Sequence, residues 1–482
     1  MSGRRALGAL ALALGVSACA VGPNFHPPAT PAPTAAPFVS ARPAIASGEA
    51  PPNAWWRLYD DPALDALVQE ALTENQDLKV AAANLLKARG VLAQARAGLF
   101  PSTDLSLTDQ WGVSGTQEFI NSLTGAKTTP SWFATGALNV SYQADLFGRI
   151  RRTIEASRAD AAATAEAENV VRVTVAAETA RAYADACAFA EQADTAKASA
   201  ATAKSILDLT IRERDLGARS DFDVASAAAT LDAARAAVPT FEGQQRAQLF
   251  ELAVLTGRPP SEISTAAAAC KTPPRIDKPL PVGDGAALLR RRPDVLQAER
   301  TLAGDTARIG VATADFFPTV ALTGSAGPSG STLSQFTSGG GFSYQLGPLI
   351  TWTFPNVLVA RAEVIQARAQ ASASIASFNS VVLNALKETE QALTTYDAEL
   401  QRHAALVAGR DDNQRAFALA QIQLAHGSIG FPDLLVTERS LESAEADLAA
   451  SDQALVDDQV AVFQALGGGW QDAPPVVAPK SP

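Results

Sequence analysis

From Arg149 to Leu216 the chain contains neither proline nor glycine. Alanine, glutamate, arginine and β-branched residues follow one another without a turn signal. The stretch therefore reads as one uninterrupted helix of roughly 65 residues, about 100 Å long at 1.5 Å per residue. Helices of ordinary globular domains average about a dozen residues. A helix this long cannot sit inside one compact domain. It is a strut, and it ends at a tight turn, Gly217-Ala218-Arg219-Ser220.

The same programme is written twice. Asp77 and Phe100-Pro101 correspond to Asp294 and Phe317-Pro318, 217 positions later. From the long helix onward the spacing is 210: Arg151 with Arg361, Glu178 with Glu388, Gly217 with Gly427, Asp223 with Asp433 and Gly257 with Gly467. Alanine-rich helices align with themselves easily, so these punctuating residues carry the duplication. The whole difference falls in a hairpin that separates the first helix of each half from its strut.

The expected organisation follows from this register. Residues 1–18 are a leader, with Arg4-Arg5 as its positive region and Ala6 to Val16 as an apolar core too short to span a bilayer. Residues 19–54 form a Pro- and Ala-rich arm. The first repeat covers 55–258, with a helix opened by Asp61-Pro62, a β-hairpin over 102–146, the long helix over 149–216 and a return helix over 221–256. A Pro-rich connection occupies 259–287. The second repeat covers 288–467, with one helix from Leu288 to Asp315, a hairpin over 318–354, a long helix over 358–425 and a return helix over 431–466. A tail occupies 468–482. Pro239 is expected to kink the first return helix.

In the hairpins the period changes from that of a helix to that of a strand. Trp132, Leu138, Val140 and Tyr142 share one face, while Thr135, Asn139, Ser141 and Gln143 share the other. The Gly-, Ser-, Thr- and Asn-rich residues 113–131 read as a loop. In the second hairpin Phe342, Tyr344, Leu346, Ile350 and Trp352 alternate with polar or small residues after a glycine-rich 324–341. Strands of roughly ten residues cross a bilayer when tilted.

Several function classes recede. The net charge of −11 argues against nucleic acid as a partner. His26, His403 and His426 are isolated, Met1 is the only methionine, and no phosphate-binding loop, G-x-S-x-G or Cys/His cluster occurs. No enzyme activity, cofactor or metal is expected. Cys187 lies mid-helix and Cys270 in the Pro-rich connection, which makes a weak case for a disulfide.

Four strands cannot close a barrel, and lipid tolerates no open sheet edge. Three chains would contribute twelve strands, an even number wide enough for an aqueous lumen. The helices would continue as a tube around the same axis, each packed on both sides, which accounts for small residues on more than one helical face.

The chain resembles the TolC-like outer membrane factors, in the lipoprotein branch that serves resistance-nodulation-division (RND) efflux systems. The resemblance rests on Cys19-Ala20-Val21-Gly22-Pro23-Asn24-Phe25 and on Asp145-Leu146-Phe147-Gly148-Arg149. It extends to Arg292-Pro293-Asp294 with Ala298-Glu299-Arg300, and to Ile309-Gly310-Val311-Ala312 running into Phe316-Phe317-Pro318. It implies a mainly α fold with a membrane β-barrel portion, formed as a homotrimer, and a lipidated Cys19 in the outer membrane. It implies a passive duct docked by a periplasmic adaptor to an inner-membrane RND transporter, with outer membrane lipids around the barrel. A protein-secretion duct is the nearer alternative, and a pore-less coiled-coil adaptor or structural lipoprotein the more distant one.

The chemistry then belongs to the two turns, Gly217-Ala218-Arg219-Ser220 and Gly427-Ser428-Ile429-Gly430. Each makes a tight helical hairpin, and by resemblance each meets the adaptor. Candidates for a resting gate are Asp221, Asp223, Asp433, Glu438 and Arg439. Arg439 matches an arginine of the family's constriction, whereas Val436 stands where an acid is usual, and Asp433 is expected to substitute for it.

Overall fold

The computed structural model describes residues 20–29, 36–113, 115–330, 341–354 and 357–478, with Ser334 and Phe336. The chain divides into two compact units. One comprises residues 1–27, 87–163 and 299–377, and the other comprises 28–86, 164–298 and 378–482. In chain order the larger elements are α1 (Pro62–Glu74), α2 (Gln76–Ala97), β1 (Ser102–Gly112), α3 (Gly115–Thr124), β2 (Ser131–Ala144), α4 (Arg149–Asp215) and α5 (Asp221–Leu255). They continue with α6 (Gly285–Arg291), α7 (Pro293–Ala314), β3 (Thr319–Gly330), β4 (Phe342–Thr351), α8 (Val357–Ala425) and α9 (Phe431–Ala465). The two long helices have 67 and 69 residues, and the two that follow them have 35 each.

The first unit contains one antiparallel sheet in the order β1-β2-β3-β4. Its register puts Leu105 opposite Leu138, Trp111 opposite Trp132, Tyr142 opposite Leu322, and Ala326 opposite Tyr344. Directly paired residues share a face and successive residues alternate. One face therefore carries Leu105, Leu107, Trp132, Val140, Leu322, Tyr344, Leu346 and Ile350, and the other carries Ser106, Thr108, Asn139, Ser141, Thr323 and Ser325. The glycine-rich start of 324–341 does not interrupt the ladder, because β3 continues to Gly330; backbone pairing needs no side chain. Residues 113–131 are not simply a loop. They hold α3, in which Phe119, Ile120 and Leu123 recur at helical spacing within polar composition.

Aromatic pairs flank the sheet. Trp111 and Trp132 lie 5.7 Å apart between ring centroids, and Phe147 stacks on Phe317 at 4.5 Å. Among the described residues no helix is long and apolar enough to cross a membrane.

The second unit is built around Trp55, which stacks on Phe463 at 4.9 Å and packs with Leu64, Val68, Leu72, Leu252 and Leu455. Asp61 caps α1, accepting hydrogen bonds from the backbone of Ala63 and Leu64. Its other oxygen accepts from the Tyr183 hydroxyl at 2.8 Å, which ties the cap to α4. Asn75 ends α1 and starts α2, accepting from the backbone N–H groups of Asp77 and Leu78 while donating to the carbonyl of Leu255.

Two expectations require correction here. The helix expected from Leu288 to Asp315 is two helices, because Arg292 precedes a proline and takes the extended conformation that proline imposes on its neighbour. The Arg292 guanidinium then joins Asp294, Glu388 and the carbonyl of Ala465. Cys187 and Cys270 form a disulfide. The Pro-rich connection crosses α4 at that point, and two cysteines separated by 83 residues carry no sign of that approach in sequence.

Candidate functional site

Each turn is made by a glycine in the left-handed region, Gly217 at φ +79° and Gly427 at φ +70°. At the first, the N–H groups of Gly217 and Ala218 donate to the carbonyls of Arg214 and Glu213, each at 2.8 Å. At the second, those of Gly427 and Ser428 donate to Leu424 and Gln423, each at 2.9 Å. Both close the preceding long helix with the reciprocal bonds of a glycine C-cap. Ser220 then caps α5. Its hydroxyl accepts from the Asp223 N–H at 3.3 Å, and its own N–H donates to the Asp223 carboxylate at 3.0 Å. Gly430 starts α9 without a side chain, so only half of that arrangement is present: its N–H donates to Asp433 at 2.9 Å.

The turns are joined below by an apolar cluster of Ile206, Ala227, Phe417, Ala420, Phe431, Leu434 and Leu435. Arg219 donates to Glu213 at 2.8 Å and lies over the Phe431 ring at 5.0 Å. Leu216, Phe222 and Val436 project into solvent. The rim is thus partly apolar, unlike a purely charged surface.

The five gate candidates take different positions. Asp223 and Asp433 are committed to helix starts. The bonds from the Ser220 backbone and hydroxyl hold the Asp223 carboxyl below the usual aspartate range. Asp221 is almost fully exposed and lies 3.3 Å from Arg214. Arg439 reaches from α9 to α5, donating to the Thr230 hydroxyl at 3.1 Å. Glu438 is 2% exposed, and neither carboxylate oxygen has a hydrogen-bond partner among the described residues. Burial, reinforced by Glu442 and opposed by Arg439, pushes its carboxyl up to about 7. Among the described residues Glu438 and Arg439 form no ion pair. A cavity of about 290 Å³ lies beside Arg439, lined also by Ala233, Ala237, Phe241, Glu442 and Ala446.

Sequence reasoning missed Phe431, Thr230 and Glu442. The signal was available for Glu442, which continues from Glu438 at i+4 on the same helical face. None was available for Phe431 or Thr230, whose roles depend on which helices adjoin.

A second constellation forms in the first unit, where three separated motifs meet. Arg152 is buried and its guanidinium donates to the carbonyls of Val21 and Gly22, at 3.1 and 3.2 Å, and to the Asn24 side chain at 2.8 Å. The Val21 N–H donates to the Phe147 carbonyl. Gly22 lies so close to Gly310 that a Cβ on it would stand 2.4 Å from the Gly310 Cα. Gly148 (φ +80°) approaches Ala20 in the same way, at 2.6 Å. Cys19, the expected lipidation site, lies outside the described residues.

The chain is similar to known proteins along most of its length. The family model described as "Outer membrane efflux protein" matches residues 67–258 and 286–468, one segment in each repeat. Nodulation protein T of Rhizobium leguminosarum bv. trifolii is 29% identical over 94% of this chain and 95% of its own length. The toluene efflux pump outer membrane protein TtgI of Pseudomonas putida is 30% identical over 86% of each chain. Among solved structures, the outer-membrane channel OprN superposes with a TM-score of 0.86 at 33% identity, covering 94% of this chain and all of that one. The open state of the Neisseria gonorrhoeae MtrE outer membrane channel gives 0.79 at 26% identity, over 94% and 99% of the two chains. The shared fold is the mainly α, TolC-like one.

Proposed function

This chain belongs to the outer membrane efflux protein family, and from that premise we propose that three copies form one passive exit duct, coupled by a periplasmic adaptor to an RND-type transporter of the inner membrane. Its outer membrane location and its role as an efflux channel come with the family. The trimer, the adaptor and the pump type are the further reading.

The observation that carries the trimer is the sheet in the first unit. It has an apolar face and a polar face, and β1 and β4 are its two edges. A bilayer offers no water to satisfy an edge. Pairing β1 of one copy with β4 of the next closes twelve strands, with Ser106, Thr108, Asn139, Ser141, Thr323 and Ser325 turned to the lumen. The same three-fold arrangement gathers six turns. Their exposed Leu216, Phe222 and Val436 suit an adaptor's apolar contacts, while Asp221, Asp223, Asp433, Glu438 and Arg439 are the groups available to hold the resting duct narrow. Cys19 carries the lipid, and the Arg152 clamp on Val21, Gly22 and Asn24 supports a fixed position for it. The likeness to a toluene efflux component favours small organic molecules as cargo. The protein acts as a passage and not as a catalyst.

The test is electrophoretic and electrical. Protein extracted from outer membrane should run as a heat-modifiable trimer and conduct in planar bilayers. A monomer that conducts nothing would overturn the reading.

A further inference from the structure

The loop of the first hairpin contains a structure that the duct does not require. α3 is a ten-residue helix with Phe119, Ile120 and Leu123 on one side and Glu118, Asn121 and Ser122 on the other. Phe119 and Leu123 are 65% and 72% exposed, so the apolar side has no partner among the described residues. Single exposed apolar residues need no explanation, but three on one face of a short helix do.

Its place in the hairpin indicates what covers it. Trp111 and Trp132 face each other across β1 and β2 on the apolar side of the sheet, continuing the row of Leu105, Leu107, Leu138 and Val140. Paired tryptophans at the end of such a row mark the boundary between hydrocarbon and headgroups. α3 begins four residues after Trp111, so its first turn lies within about 15 Å of that boundary along the chain. A short helix with one apolar and one polar side, held at that height, has the form of an interfacial helix. Immersion of the same face in an aqueous lumen would leave Phe119, Ile120 and Leu123 in water.

We propose that α3 is a membrane-surface element, lying against the outer leaflet with Phe119, Ile120 and Leu123 among the acyl chains and Glu118 and Asn121 toward water. The partner is a lipid surface. The element braces the outer end of the first hairpin. The inference rests on the sheet being the membrane-spanning part.

Site-directed spin labelling tests it. Cys187 and Cys270 are joined and Cys19 is expected to carry lipid, so Phe119→Cys supplies a free thiol for a nitroxide. The labelled full-length protein is reconstituted in phosphatidylethanolamine–phosphatidylglycerol vesicles, and collision with oxygen is compared with collision with a water-soluble nickel chelate. The oxygen-to-nickel accessibility ratio at Phe119→Cys should exceed that at Glu118→Cys by about fivefold or more. Leu123→Cys probes the same face one turn on and gives the same readout if position 119 does not tolerate a label. Leu107→Cys, in the centre of β1, reports on the sheet itself. A high ratio at 107 with equal, low ratios at 118 and 119 overturns the interfacial helix and leaves the membrane sheet standing. Low accessibility to both agents at 119, with broadening from a second label, means that copies cover the face, and this also overturns it. A low ratio at 107 removes the membrane sheet and the inference with it.

Discussion

Arg219 in the first turn lies over the ring of Phe431 at the start of α9, 5.0 Å from its centroid, so the two turns of one chain hold each other. The contributions of the two residues differ. A cation over a buried ring contributes about 1–2 kcal/mol, whereas removing a buried phenylalanine costs about 3–5 kcal/mol. Phe431→Ala should therefore open the turns to protease much more than Arg219→Ala does. Comparable cleavage rates would mean that the apolar cluster is not what holds the turns together.

Arg439 bridges α9 to α5 through Thr230, and Asp433 is tied to the Gly430 N–H. Their substitutions should separate in planar bilayers. Arg439→Ala removes a link between helices and should raise single-channel conductance. Asp433→Ala loses a helix cap of about 1 kcal/mol and should mainly increase conductance fluctuation. Unchanged conductance in the double variant would remove both residues from the gate.

Four left-handed glycines separate into two kinds. At Gly217 and Gly427 an added Cβ meets nothing, so alanine there carries only the conformational penalty, about 1–2 kcal/mol. At Gly257 the Cβ would stand 2.5 Å from the Glu74 carbonyl oxygen, and at Gly467 2.8 Å from Arg292. Gly257→Ala and Gly467→Ala should lower the unfolding midpoint clearly more than the turn variants, as measured by circular dichroism in detergent.

The Cys187–Cys270 bond closes a loop across 83 residues. The chain-entropy relation gives about 4.5 kcal/mol for a loop of this size. Reduction, or Cys270→Ser, should lower the denaturant midpoint of the second unit while leaving trimer formation intact. An unchanged midpoint would show that the connection is held by its other contacts, such as the Ile276 backbone bonds to Gln459.

The long helices could be read in the sequence because an absence, of proline and glycine from 149 to 216, is visible without knowing any neighbour. The strand faces were equally readable, since alternation is a local property. What could not be read depended on approach. Arg152 stands beside Arg149 and Arg151 with nothing local to distinguish it, yet it alone is buried against the Val21–Asn24 segment. α3 was hidden by composition, because serine, threonine and asparagine outweigh three apolar residues at helical spacing. Glu438 was named for its charge, but its place on the stripe with Leu434 and Leu435 indicated burial, and that is where it lies.

That burial has a pH consequence. The Glu438 carboxyl, at about 7 in the folded chain against an ordinary 4.5, keeps a proton that the unfolded chain has released. Below the ordinary value both states are protonated and the residue has no effect. As pH rises from there through about 7 the unfolded state is favoured, and the loss levels off above that at about 3 kcal/mol. Asp457 and Asp458 are also raised, to about 7 and about 6, so the informative quantity is the difference from Glu438→Gln. Protease cleavage at the turns should be the same for the two proteins at pH 4.5, and slower in Glu438→Gln at pH 8, because the amide has no charge to bury. A difference that does not change with pH would show that Glu438 does not titrate in this window.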